Sequence, residues 1–147
     1  MSLLDKTNRT DEYFKNIKLI TADEIKNLVS MKDAIHAMKL AFSSYSNGTS
    51  HVPQRYVSAI EDTNMDLFLK PAYSKDLERI ALKILTQNNK KEQSSIPSIL
   101  GVVLLMDMKT GAVLSMMDGA YITALRTGAA SGIATKYLAQ KNAEVKE

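Results

Sequence analysis

Five extended apolar runs follow one another between Gln54 and Met117, with no long helix between them. Parallel neighbours need a crossover of a dozen or more residues, usually a helix, whereas antiparallel neighbours need only a turn. The runs are Gln54–Ile60, Met65–Lys70, Arg79–Leu85, Leu100–Met106 and Ala112–Met117. The last two flank Asp107-Met-Lys-Thr-Gly111, a turn with glycine at its end, and so read as a hairpin. This order favours an α+β fold over a doubly wound parallel sheet. The expected architecture is N-terminal helices packed on a mixed, mainly antiparallel sheet, ending in the hairpin and a small-residue helix.

The helices are marked at their starts. Ile17–Ile20 is a short strand candidate, and Thr21-Ala-Asp-Glu24 after it fits a capping box, a hydroxyl at the N-cap and a carboxylate at the third helical position. Ser30-Met-Lys-Asp33 places another hydroxyl and acid ahead of a second helix. There Ile35, Met38, Phe42 and Tyr45 recur at spacings of 3 and 4, which predicts one apolar face. Asn47-Gly48 is the predicted stop, because both residues tolerate the left-handed backbone of a C-terminal cap. Residues 1–14 read as a polar, flexible lead-in and 15–147 as one domain.

Composition excludes several classes. A chain of 147 residues, 45% hydrophobic and 24% charged, has the length and balance of one globular domain. The net charge of +3 is spread along the chain, without the dense basic block of a nucleic-acid binder. There is no cysteine, which excludes disulfides and thiolate chemistry, and the two histidines, His36 and His51, do not suffice for a multi-histidine metal site. No metal site is expected. The first residues lack the apolar core of a signal peptide, and no run approaches the ~18 apolar residues of a membrane span. A cytoplasmic protein without membrane contacts is the expectation.

Three cations stand in unusual settings. Lys83 interrupts the apolar run Ile80–Leu85 and, by alternation, shares a face with Ala81 and Leu85. It either lies on a solvated sheet face or points into a pocket, and the sequence leaves both open. Arg55 has the same ambiguity, with Val57 and Ala59 on its side. Arg126 follows Ile122-Thr-Ala-Leu in a helix of small residues that includes Gly128 and Gly132. Each glycine costs roughly 1 kcal/mol relative to alanine, so tight helix packing or a ligand against the backbone should offset it. Convergence of the three cations would make a carboxylate site, because arginine grips carboxylates through a bidentate fork.

The segment Asp118-Gly-Ala-Tyr-Ile-Thr-Ala-Leu-Arg126-Thr127-Gly128 reads as a helix start with a cation and a hydroxyl in its early part. Such a start offers free backbone N–H groups to a small anion. Asp107 and Asp118 are read as turn and Asp-Gly structure rather than as acid–base catalysts. There is no glycine-rich dinucleotide fingerprint, no phosphate loop and no serine elbow.

Asp107-x-x-Thr110-Gly111, Asp118-Gly119-x-x-Ile122-Thr123-x-x-Arg126-Thr127-Gly128-Ala129-Ala130-Ser131 and Ala134-x-Lys136-Tyr137-Leu138-Ala139 together resemble the ornithine cyclodeaminase / mu-crystallin family. Weaker agreement covers Pro53-x-Arg55, Lys70-Pro-Ala-Tyr73 and Lys83. The resemblance implies an NAD(P)-dependent enzyme of amino-acid metabolism: an ornithine cyclodeaminase, converting ornithine to proline with loss of ammonia, or a related amino-acid dehydrogenase or ketimine reductase. It implies a substrate carboxylate held by Arg55, Lys83 and Arg126, with Ser98, Arg126 and Thr127 near the cofactor, NAD or NADP. It also implies a homodimer. In the family a dinucleotide-binding domain, which carries the catalytic aspartate, follows the small-residue helix; no such sequence follows here. The chain is therefore expected to be the N-terminal substrate and dimerisation domain, with no catalytic residue of its own, inactive alone and without tight nucleotide binding. The alternative is a non-catalytic dimerising module that binds small carboxylates.

Overall fold

Seven strands form one sheet in the computed structural model, which describes residues 12–90 and 95–139. They are β1 (Lys18–Ile20), β2 (Ser50–His51), β3 (Tyr56–Ala59), β4 (Met65–Ser74), β5 (Arg79–Asn88), β6 (Ile99–Asp107) and β7 (Val113–Asp118). The order is β1-β7-β6-β5-β4-β2, with β3 also on β4. Only β1 and β7 pair in parallel; the other ladders are antiparallel, as short connections require. The expected lead-in falls on residues 1–11, outside the described residues, and on a helical turn over residues 12–15. There the Tyr13 hydroxyl accepts a hydrogen bond from the Val113 N–H.

Three longer helices complete the domain: α1 (Ala22–Leu28), α2 (Met31–Ser46) and α3 (Gly119–Leu138). Both expected capping boxes form. The Glu24 N–H donates to Thr21 Oγ1 at 3.3 Å and the Thr21 N–H to Glu24 Oε2 at 2.8 Å; Ser30 and Asp33 repeat the exchange at 3.2 and 3.1 Å. Two orphan donors per helix are satisfied this way. Gly48, at φ +74°, follows the cap residue Asn47 and ends α2.

Cross-strand register divides the sheet into two unlike faces. Phe68, Lys70 and Ala72 align with Leu85, Lys83 and Ala81, and these with Gly101, Val103 and Leu105. Helix α3 lies across this face, over buried Leu85, Val103 and Ser115. Its start is seated by a glycine pair: a Cβ on Gly119 would lie 2.8 Å from the Gly101 carbonyl carbon, so only glycine admits that approach. The opposite face carries Leu67, Leu69, Leu82, Ile84, Val102, Leu104 and Met116, and no helix among the described residues packs on it.

Helices α2 and α3 run side by side in the same direction. A Cβ at Gly128 would meet Met31 Cε at 3.3 Å, one at Gly132 would meet Ile35 Cδ1 at 2.9 Å, and Lys39 Nζ lies 5.6 Å from the Tyr137 ring centre. The small residues of α3 thus serve close helix packing. The apolar face expected from Ile35 to Tyr45 is only half covered, since Phe42 and Tyr45 are 51% and 59% exposed. Among the described residues α3 ends at Leu138, level with the middle of α2, and so does not reach Phe42 and Tyr45, while the last turn of α2 is tied to β2 through Ser44 and Ser50.

Strand bounds also differ from the sequence expectation. β4 continues past Lys70 through Pro71 to Ser74. Proline is tolerated there because residues 70–72 face the gap between β3 and β2, where no ladder partner needs the missing N–H. β3 is shorter than expected and leaves Arg55 just before its first residue.

Candidate anion-binding site

Lys83 sits at the middle of β5 and points to the α3 side of the sheet. Its Nζ donates to Thr123 Oγ1 at 3.2 Å. The Thr123 hydroxyl spends its own proton on the Gly119 carbonyl at 2.7 Å, so its lone pairs are left for the ammonium. Arg126 follows three residues later on the same flank of α3, and its side chain is exposed. Lys70 of β4 is the direct cross-strand partner of Lys83. Arg55 precedes Tyr56, whose partner is Leu69, so the β3–β4 register brings Arg55 beside Lys70.

The four charges act on one another. Burial, then Arg126, then Lys70 push the Lys83 ammonium down from 10.5 to about 8. Burial, then Arg55, then Arg126 lower Lys70 as well. Among the described residues, no carboxylate lies within ion-pair distance of any of the four. The acids that do pair stand elsewhere: Asp107 holds Arg79 at 3.2 Å and Glu78 holds Lys109 at 2.7 Å. Opposed like charges weaken a sheet, and an anion between them removes that repulsion.

The structure therefore brings Arg55, Lys83 and Arg126 into one neighbourhood, together with Lys70 and Thr123, which stand in the family motifs but are not among the expected site residues. The β4–β5 register is what places Lys70 opposite Lys83, and the cover of α3 over this sheet face is what places Thr123 against it. Thr127 stands beside Arg126 on the exposed side of α3, its hydroxyl bonded to the Thr123 carbonyl at 2.6 Å. Ser98 does not join them. It lines a cleft of about 210 Å³ with Met65, Thr86, Asn88 and Leu100, on the uncovered face of the sheet. A second cleft, of about 460 Å³, lies between the 12–15 turn and β7, also away from the cations. Neither cleft is lined by Arg55, Lys70, Lys83 or Arg126.

The expected anion cradle at the helix start is corrected. Arg126 is two turns into α3, and the start itself is occupied: the Tyr121 N–H donates to Asp118 Oδ1 at 2.7 Å, and Gly119 lies against β6. The cations present side chains along the helix flank, not backbone N–H groups at its end. Asp107 is a turn residue, accepting from the Lys109 and Thr110 N–H groups at 3.1 and 2.8 Å. Among the described residues, no group of three His, Asp or Glu side chains is placed to hold a metal, and no helix is long and apolar enough to cross a membrane.

The chain is an α+β domain whose covered sheet face carries a cluster of cations, and comparison with known proteins gives its family. A profile of the Ornithine cyclodeaminase/mu-crystallin family matches residues 15–146, and the chain belongs to that family. It is 35% identical over 126 residues to a Delta(1)-pyrroline-2-carboxylate reductase of Bacillus cereus, covering 86% of this chain and 39% of that one. An alanine dehydrogenase of Archaeoglobus fulgidus is 35% identical over 127 residues, covering 86% and 38%. The structure of Thermococcus litoralis Delta(1)-pyrroline-2-carboxylate reductase in complex with NADH and L-proline superposes with a TM-score of 0.82 at 40% identity, covering 87% of this chain and 40% of that one. The chain thus spans about two fifths of the length of the relatives it matches.

Proposed function

We propose that these 147 residues form the substrate-carboxylate half of an NAD(P)-dependent, ornithine cyclodeaminase-like enzyme, one that reduces cyclic imino acids, oxidises amino acids or cyclises ornithine to proline. The observation that carries this reading is the meeting of Lys83 and Arg126 over one sheet face with no acid among the described residues to neutralise them. Arg55, Lys83 and Arg126 hold the α-carboxylate, and Thr123 keeps the Lys83 ammonium aimed at it. A fixed carboxylate leaves the substrate's α-carbon in one orientation, which hydride transfer requires.

The nicotinamide group supplies or accepts the hydride when bound. Exposed Arg126 and Thr127 are the residues of this chain suited to meet it, a free guanidinium being a fitting partner for a nucleotide phosphate. Ser98, on the other sheet face, belongs to the cofactor set only if cofactor or a partner subunit reaches that cleft. The uncovered face, with Leu82, Ile84, Val102 and Leu104 at its centre, is the proposed homodimer surface. The 147 residues alone are expected to hold nucleotide weakly and to turn nothing over.

Calorimetric titration with a small carboxylate tests the site. Binding is expected, and Arg126→Gln should weaken it about tenfold or more, the worth of a charge-assisted contact. Carboxylate affinity indifferent to Arg126 and Lys83 would sink the reading. Micromolar NADH binding to this chain alone would overturn its division into halves. The second reading, a carboxylate-binding dimer module, is favoured only by the apolar face; it gains if a longer protein containing these residues lacks nicotinamide-dependent activity.

A further inference from the structure

We propose that Lys70 is a specificity residue that adapts this site to a dicarboxylate, with the second carboxylate of an amino or imino acid seated between Lys70 and Arg55. The proposal rests on the carboxylate reading above and adds to it the class of substrate. Its basis is the placement of Lys70. The residue is the cross-strand partner of Lys83, on the same face, so the two side chains start roughly 5 Å apart. Its part-buried side chain lies along the sheet, with Nζ 4.9 Å from the centre of the Phe68 ring, and meets no carboxylate among the described residues.

One carboxylate held by Lys83, Arg126 and one fork of Arg55 offsets a single charge and leaves the Lys70 end of the site uncompensated. A second carboxylate two or three bonds farther along the same molecule reaches that end. The lowered proton affinity of Lys70 has the same cause, burial beside Arg55 and Arg126, and an anion there would relieve it. A nucleotide phosphate is the competing anion. Lys70 lies part-buried on the sheet beside Lys83, however, whereas Arg126 and Thr127 stand on the exposed side where a larger, hydrated group fits.

Succinate and butyrate, of equal carbon count, separate the ideas when titrated into the full chain by calorimetry at fixed ionic strength, with pyrophosphate as a third ligand. Succinate is expected to bind about tenfold more tightly than butyrate, one added charge-assisted contact. Lys70→Gln should remove that difference while leaving butyrate affinity within about twofold, and Lys26→Gln, an equal loss of charge on exposed α1, should not. Equal succinate and butyrate affinities, or a preference that survives Lys70→Gln, overturn the dicarboxylate assignment, as does a Lys70 dependence confined to pyrophosphate. If both ligands still weaken with Arg126→Gln, the carboxylate reading stands without it. If neither ligand responds to Arg126, that reading fails too. Circular dichroism of Lys70→Gln confirms that each comparison is made on folded protein.

Discussion

Lys70 and Lys83 stand directly opposite each other across the β4–β5 ladder, and neither has a carboxylate partner among the described residues. A pair of this kind lowers the stability of the sheet that carries it. It is tolerated where the repulsion is useful, because the same repulsion is released when an anion binds.

The Lys83 ammonium gives this a pH signature. Its folded value is about 8 against 10.5 for the ordinary side chain. Between those values the unfolded chain holds more protons than the folded one, so stability rises with pH across that window and the penalty is fully present below it. Urea unfolding between pH 7 and 10.5 should show this rise. Lys83→Met should stabilise the protein at about pH 7 and remove most of the slope; a flat wild-type profile would contradict the burial of the charge.

Carboxylate binding should drive Lys83 the other way. In NMR titration of labelled lysine, one Cε signal should have its midpoint near 8 and move upward in saturating succinate, since an opposite charge favours the protonated form. Thr123→Val takes away the hydroxyl that accepts from Nζ. It should lower the midpoint further and weaken carboxylate binding by a few-fold, the scale of one hydrogen bond at about 1 kcal/mol.

Two glycines of α3 should respond differently to alanine. At Gly119 the new Cβ meets Gly101 backbone at 2.8 Å, which cannot yield without moving α3 off the sheet, so thermal denaturation should show a loss of about 1–3 kcal/mol. At Gly132 the obstacle is the end of the Ile35 side chain at 2.9 Å, which can rotate. There the gain of about 1 kcal/mol in helix propensity should cancel the cost, leaving stability nearly unchanged.

The uncovered sheet face is expected to associate. Light scattering at about 100 μM should report a dimer, and Leu104→Glu, at its centre, should give a folded monomer, because a charge cannot be buried there without a partner. A wild-type monomer at that concentration would argue against the proposed interface.

Much of the scaffold is written locally in the chain. The capping boxes at Thr21 and Ser30, the stop at Gly48 and the Asp107–Gly111 turn each depend on a few adjacent residues whose hydrogen-bonding groups have nowhere better to go. The antiparallel order follows from connections too short for anything else, and the strand period of two suffices to group Lys83 with Ala81 and Leu85. The family, too, is legible from the spaced motif around Arg126. Alternation says which residues share a face but not which face a helix will cover. Only the seating of Gly119 on Gly101 decides that Lys83 lies under α3 and that Ser98 does not. Only the register of β4 on β5 places Lys70 opposite Lys83, and only the lengths of α2 and α3 leave Phe42 and Tyr45 exposed. The reason is common to all three: residues 55, 70, 83 and 126 are distant in sequence, and packing, which acts without regard to chain separation, is what brings their charges together.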